Sequence, residues 1–283
     1  MADREPPGRF PPDIDLSVPS VARMYDYILK GKDNFEVDRA AVDAMLERVP
    51  EMFRFSYDSR AFLTRAVETV AAQGLDQFLD LGAGLPTNEN THQVARRVRP
   101  GARTVYVDND PIVLAHGRAI LADNPGTAFV LADIRDTDRL VSRVAATQLI
   151  DLDRPVCLML VSLLQCVPDA HDPFGLLRRL LERLAPGSAL IYSHMVSDDP
   201  ATRTWLTEKV LSLGTAWGRV RTPEEAGAAF TGLDLVDPDL GAGGGPPRPV
   251  DCATWRTPGE PPADRPRGPA QRVWETAGVA FTF

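Results

Sequence analysis

The chain has 283 residues, 44% of them hydrophobic, enough for one large α/β domain with an appendage. Its 39 acidic residues outnumber 31 basic ones for a net charge of -8, which disfavours nucleic acid or an anionic membrane as the main partner. Cys157, Cys166 and Cys252 match neither a disulfide framework nor a zinc spacing, and no apolar run approaches the length of a membrane span. A charged, Pro-rich beginning without an apolar signal region adds to the expectation of a cytoplasmic setting.

Residues 1–16 read as a Pro-rich arm. Residues 17–73 read as an N-terminal helical cap. Val21, Met24, Tyr25, Ile28 and Leu29 share one helical face, and Gly31 is a natural stop. Further helices are expected over 36–48 and 56–73. The break between the first two helices holds Lys32, Asp33, Asn34 and Phe35, a dense set of functional groups on a loop. A polar connector is an equally good account of it.

Residues 74–283 read as the nucleotide-binding domain. Phe78-Leu79-Asp80-Leu81 is a short apolar strand running into Gly82-Ala83-Gly84-Leu85-Pro86, with a helix around 94–98. Strand, glycine turn and helix is how an open α/β sheet builds a nucleotide site at a strand's carboxyl end. Gly82 and Gly84 carry no Cβ, so backbone can approach a ligand closely. The second strand, Thr104 to Val107, ends at Asp108-Asn109-Asp110, where a carboxylate is placed for ribose hydroxyls. The third, Phe129 to Ala132, ends at Asp133-Ile134. Three polar strand tips at one edge fit an adenosine-containing ligand.

The glycine pattern lacks the third glycine of the dinucleotide fingerprint, Thr87 standing there, and no basic cluster sits in the turn. Asp80 places negative charge at the ligand, which suits a sulfonium and an ammonium better than phosphates. The sheet then continues through the apolar run Pro155 to Val161, as a buried parallel strand requires. A helix is expected over 172–184, a fifth strand over 188–192 tipped by Ser193-His194, helices over 202–213 and 223–230, a sixth strand over 233–236, and a closing strand over 279–283. Residues 241–270 read as a Gly- and Pro-rich loop, mobile unless Trp255 anchors it.

Four segments carry a family resemblance: Pro19-Ser20-Val21-Ala22-Arg23-Met24-Tyr25-Asp26-Tyr27; Gly31-Lys32-Asp33-Asn34-Phe35; Asp80-Leu81-Gly82-Ala83-Gly84-Leu85-Pro86-Thr87; and Val105 to His116. Together they resemble the actinobacterial S-adenosyl methyltransferase family, long catalogued as a domain of unknown function, over roughly residues 19–194. The resemblance implies a Rossmann-like class I methyltransferase fold. Its sheet is seven-stranded and mostly parallel, of order 3-2-1-4-5-7-6 with an antiparallel last strand, helices on both faces and a helical cap. Gln165-Cys166 replaces the His-Phe pair usual in the family, and 213–220 lacks an expected Tyr-Asn pattern. Both departures fall where an acceptor would sit.

The expected cofactor is S-adenosyl-L-methionine, leaving as S-adenosylhomocysteine, with no metal required. Gly82 and Gly84 would line its methionine and ribose portion, and Asp80 would lie close by. Asp108 would bind the ribose, Asn109 and Ile134 would flank the adenine, and Asp133 would accept from the adenine amino group. Ser162 and Leu163 would face the methionyl end. Tyr25, Lys32 and Asn34 would close over from the cap, with Lys32 or Arg60 meeting the carboxylate; surface charge accounts for Lys32 and Arg60 equally well. His194 is the expected general base because its pKa lies near neutrality, with Tyr25 also at the reacting end, although a structural histidine has the same pattern. Trp205 and Trp217 read as core packing or walls of an acceptor pocket.

Methyl transfer to a small molecule is the expected reaction, without nucleic acid or membrane partners; a homodimer fits the sequence as well as a monomer does. Aminocarboxypropyl transfer, cyclisation of the cofactor, or a non-catalytic cofactor-binding regulator are the competing readings.

Overall fold

In a computed structural model of the chain, residues 15–86, 89–121, 124–238, 247–256 and 271–283 are described. Most of the expected arm, and 241–246 and 257–270 of the expected loop, lie outside them.

The N-terminal segment folds as α1 (Val21–Ile28), α2 (Glu36–Leu46) and the long α3 (Met52–Ala72). Helix α3 buries Phe55, Ser59, Phe62, Leu63, Ala66, Val67 and Val70, the three- and four-residue spacing of one helical face. Asp38 ties the cap together. It pairs with Arg23 at 2.8 Å, both side chains buried, and accepts the backbone N–H groups of Ser20 and Phe35 at 3.0 and 2.9 Å.

The sheet then alternates strand and helix: β1 (Gln77–Leu81), α4 (Thr91–Val98), β2 (Arg103–Asp108), α5 (Pro111–Leu121), β3 (Thr127–Leu131), α6 (Thr137–Ala146), β4 (Cys157–Val161), α7 (Pro173–Leu181) and β5 (Ala189–Val196). The helices α8 (Pro200–Leu211) and α9 (Pro223–Gly227) follow, then β6 (Asp234–Leu235), β7 (Val250–Asp251) and β8 (Trp274–Phe281). Pro opens α7, α8 and α9, and the side chains of Asp172, Asp199 and Thr222 accept first-turn N–H groups, satisfying donors that the helix cannot.

The sheet order is β3-β2-β1-β4-β5-β8-β6, with β7 also paired to β8. β1 to β5 run parallel, and β8 is antiparallel to β5, β6 and β7. The order matches the expectation, but the strand count corrects it: eight strands rather than seven. The extra one is the two-residue β7, inside the segment expected to be all loop. Trp255 anchors that segment. It is fully buried, meets Phe62 edge-on at 5.3 Å, and its carbonyl accepts from Arg65 Nε at 2.9 Å.

Residues alternate between two cores. Leu79, Leu81, Leu158 and Leu160 face α6 and α7, while Phe78, Cys157 and Met159 face α3 and α4, as the period of two requires. A third core joins the cap to α8 through Met45, Met52, Phe55, Leu206 and Val210. Strands β5 and β8 run longer than expected, pairing over eight residues from Ala189↔Phe281 to Val196↔Trp274. Ser193 and His194 therefore lie within β5, not at its tip.

Candidate functional site

The carboxyl ends of the parallel strands open into one cavity of about 770 Å³ beneath the cap, within the range of small-molecule and cofactor sites. Past the tips of β1, β3 and β4 the chain is tied to the neighbouring strand. Gly82 and Ala83 donate to Val107 O at 2.8 and 3.2 Å, Ala132 to Asp108 O at 2.9 Å, and Ser162 to Ser193 O at 3.1 Å.

The glycine turn has two distinct requirements. Gly82 has φ +69, and a Cβ there would stand 2.5 Å from Leu163 Cδ1. Gly84 has φ +65, yet a Cβ there would meet nothing within 4 Å. Gly82 is thus glycine for packing and backbone, whereas Gly84 leaves an open cradle in the cavity wall. Ser162 is a non-glycine residue at φ 56, a sparsely populated region that tertiary contacts must hold.

Asp80, Asp108, Asp110 and Asp133 line the same end of the cavity. Asp108 accepts Gly84 N–H at 2.9 Å on one oxygen and Asp110 N–H at 3.0 Å on the other, which leaves lone pairs for ligand hydroxyls. Burial raises its pKa. Asp80 is buried and accepts from Thr91 Oγ1 at 2.7 Å; desolvation pushes its pKa up to about 6. Asp133 is grasped by Arg135 at 2.9, 3.0 and 2.5 Å, and that guanidinium holds it below the usual carboxylate range. The cap closes this end through Ser20 Oγ, which donates to Asp110 at 2.8 Å.

Of the residues expected at the cofactor, Tyr25, Arg60, Asp80, Gly82, Gly84, Asp108, Asn109, Asp133, Ile134, Ser162 and Leu163 line this cavity. Tyr25 donates to Ser56 O at 3.1 Å, and burial raises its pKa. Arg60 donates to Glu89 O at 2.8 Å.

Three residues stand apart. Lys32 is exposed and Asn34 is a loop brace: Asn34 Nδ2 donates to Asp26 at 2.8 Å and to Gly31 O at 3.1 Å. The loop is knotted on Asp26, whose carboxylate occupies the place of a Gly31 Cβ, 1.9 Å from it. His194 is fully buried within β5. Its Nε2 lies 3.3 Å from Arg221 Nη1, its ring stacks at 5.9 Å on Tyr192, and burial depresses its pKa well below neutrality. It does not line the cavity, so the expected base is displaced by strand length.

Sequence reasoning missed Glu275. This carboxylate of β8 is fully buried and accepts from Ser59 Oγ at 2.8 Å, Ser193 Oγ at 2.5 Å, and Ser162 Oγ. Burial raises its pKa. Its serine partners come from α3, from β5 and from the turn after β4, segments no local pattern links. Gln165 and Cys166, the first of the two departures, line the cavity, as does Trp217 from the second. Trp205 instead lies under Arg48, 4.8 Å from ring centroid to guanidinium. Burial pushes the Cys166 thiol up to about 12, so it is a neutral wall and not a nucleophile.

The donor set fits a cationic, adenosine-bearing ligand: four carboxylates at the strand tips and a glycine cradle. The sheet order and strand-tip cavity define the class, that of class I methyltransferases.

The family model described as S-adenosyl methyltransferase matches residues 8–282. A crystal structure of a proposed methyltransferase from Thermobifida fusca is 39% identical, with 96% of this chain and 98% of that chain covered and a TM-score of 0.83. A DUF574 family protein from Streptomyces avermitilis is 34% identical, with 95% and 99% covered and a TM-score of 0.82. An O-methyltransferase family protein from Burkholderia thailandensis shares the fold at 12% identity, with 82% and 62% covered and a TM-score of 0.50. No curated protein matches the chain. The chain belongs to the S-adenosyl methyltransferase family and is an S-adenosylmethionine-dependent methyltransferase.

Proposed function

We propose that the protein methylates a small molecule by in-line displacement in this cavity. The observation that carries the reading is the asymmetry of one cavity: carboxylates and an open glycine cradle at one end, an uncharged apolar wall at the other. S-adenosylmethionine supplies a methyl group already activated by the sulfonium, so the chemistry needs no metal.

The chain's own residues bind, align and exclude water. Asp108 would receive the ribose hydroxyls with its remaining lone pairs, while its two backbone bonds keep the carboxylate aimed. Gly84 would let the ligand lie against the turn. Asp80 would offset positive charge when ionised. Asn109 and Ile134 would flank the adenine; Asp133, held by Arg135, would present its outer lone pairs to the amino group. Ser162 and Leu163 would border the methionyl end and Arg60 its carboxylate, with Tyr25 above. A concave cavity of about 770 Å³ and a net charge of -8 favour a small acceptor over nucleic acid or membrane. Free cysteines at all three positions suit a cytoplasmic setting.

Incubation with S-adenosylmethionine labelled in the methyl group, together with a bacterial metabolite extract, tests this by mass spectrometry. S-adenosylhomocysteine and a labelled metabolite are expected. Methylthioadenosine as the product would instead mean transfer of the aminocarboxypropyl arm or cyclisation.

A further inference from the structure

The charges that line the cavity are unevenly placed. Asp80, Asp108, Asp110, Asp133 and Arg135 stand at or just past the tips of β1, β2 and β3. On the side of β4 and β5 the lining runs through Val161, Ser162, Leu163, Cys166 and Met195, and no described lining residue there is charged.

One carboxylate lies a layer behind that uncharged side. Glu275 stands opposite Met195 in the β5–β8 ladder, so the two side chains share a face of the sheet. Ser162 Oγ donates to its Oε1. Met195 and Ser162 both line the cavity, and Glu275 is held against the back of them. Its charge reaches the wall. Burial first, and then the Glu275 charge, raise the pKa of Tyr25; burial, Asp108 and Glu275 together raise that of Cys166.

Its hydrogen-bond donors are neutral hydroxyls, from α3, β5 and the turn after β4. The other titratable groups around it are Tyr25 on α1, Cys166 after β4, and Asp251 and Cys252 at β7, none of them a cation. On α3 Ser59 is flanked by Asp58 and by Arg60, which bonds Glu89 O. His194, with Arg221 beside it, pairs with Thr276, so strand alternation turns it to the opposite face from Glu275. A buried carboxylate without a paired cation is costly, and three hydroxyls aimed at it favour its ionised form. The fold thus keeps a negative charge behind the side of the cavity that shows none.

We infer that Glu275 is the counter-charge of the cofactor's sulfonium, a specificity-determining residue that makes the site favour S-adenosylmethionine over its product, whose sulfur is neutral. The carboxylate acts through space across Ser162 and Met195 and touches neither ligand. Charge is screened little across a buried wall, and the sulfur carries the only charge that the two ligands do not share. Methyl transfer turns the sulfonium into a thioether and so removes the attraction, which favours release of the product. The inference rests on the methyltransferase reading, since that reading places the methionyl end at Ser162.

The test titrates the full chain calorimetrically with S-adenosylmethionine, with S-adenosylhomocysteine and with sinefungin, which carries an ammonium group in place of the methylsulfonium. The ratio of affinities cancels effects on the groups the ligands share. Glu275→Gln keeps the shape and loses the charge. At pH 8 it should weaken S-adenosylmethionine and sinefungin about tenfold and leave S-adenosylhomocysteine unchanged, whereas a merely structural role would weaken all three alike. A proton on Glu275 cancels its charge, so the wild-type preference should fall as pH is lowered. Ser193 does not line the cavity, and Ser193→Ala removes one hydroxyl that favours the ionised carboxylate. It should move that fall to higher pH, a readout that holds even if Glu275→Gln does not fold. Equal loss of all three ligands in Glu275→Gln, no loss of any, or a fall unmoved by Ser193→Ala would overturn the inference and leave the methyltransferase reading standing. Failure of the wild type to bind either S-adenosylmethionine or S-adenosylhomocysteine would remove that reading, and the inference with it.

Discussion

The carboxylate of Asp108 accepts the backbone N–H of Gly84 at 2.9 Å, so the tip of β2 is bonded to the glycine turn after β1. One bond thereby sets both the aim of the acid and the shape of the cradle. Asp108→Ala removes this brace and the proposed ribose acceptor together. Two hydrogen bonds to a charged group, at about 1.5 kcal/mol each, amount to roughly a hundredfold loss of S-adenosylmethionine affinity by calorimetry. Equal binding by wild type and variant would show that Asp108 is not the ribose ligand.

Asp80 links binding to pH. Burial lifts its folded pKa to about 6, above the ordinary aspartate value of about 3.9. Its contribution to stability is therefore complete below about pH 4 and is lost as pH rises through about 6. Cofactor binding runs the other way, because a positive ligand favours the ionised carboxylate. About a tenth of Asp80 is ionised at pH 5, so S-adenosylmethionine should bind about tenfold more weakly there than at pH 8, and Asp80→Asn should flatten the profile. A pH-independent affinity in the wild type would place the ligand's positive charge elsewhere.

Substitution at the two turn glycines should separate folding from binding. Gly82→Ala pushes a Cβ into Leu163 at φ +69, and overpacking of this kind costs about 1–3 kcal/mol in addition to the backbone strain. Gly84→Ala meets open space and bears only the strain of a left-handed residue, about 1–2 kcal/mol, yet it fills the cradle. Gly82→Ala should show the larger fall in melting temperature. Gly84→Ala should show the greater loss of cofactor affinity relative to its fall in melting temperature.

Glu275 offers a stability test. Its pKa is raised above 4.5 by burial, so the folded state favours the protonated form. Its contribution is largest below about pH 4.5 and falls as pH rises through the folded value. Glu275→Gln stays neutral and escapes that fall, so urea denaturation should show its stability gaining on wild type as pH increases from 4 to 8. Glu275→Ala leaves the hydroxyls of Ser59, Ser162 and Ser193 without their acceptor and should cost about 3 kcal/mol or more. A constant difference between wild type and Glu275→Gln across that range would mean that Glu275 is already ionised in the folded protein without penalty.

The glycine turn and the acidic tips of β2 and β3 were legible in the sequence because each rests on local pattern, whereas the order of the strands followed only from the family resemblance. An apolar run makes a buried strand, a glycine marks a positive φ, and a carboxylate one residue past a strand lies at the sheet edge. The helical cap was legible for the same reason, through the spacing of Met24, Tyr25 and Ile28. The fate of His194 was decided only in three dimensions. Pairing with all eight residues of β8 extends β5 past it, and no signal near residue 194 reveals a partner more than 80 residues away. Glu275 in a strand, and Gln165 and Trp217 at one cavity, likewise depend on which distant segments meet. Residue type and local spacing determined where a cationic nucleoside could lie. Long-range register decided which polar atoms were buried, which were matched, and which were left without a partner.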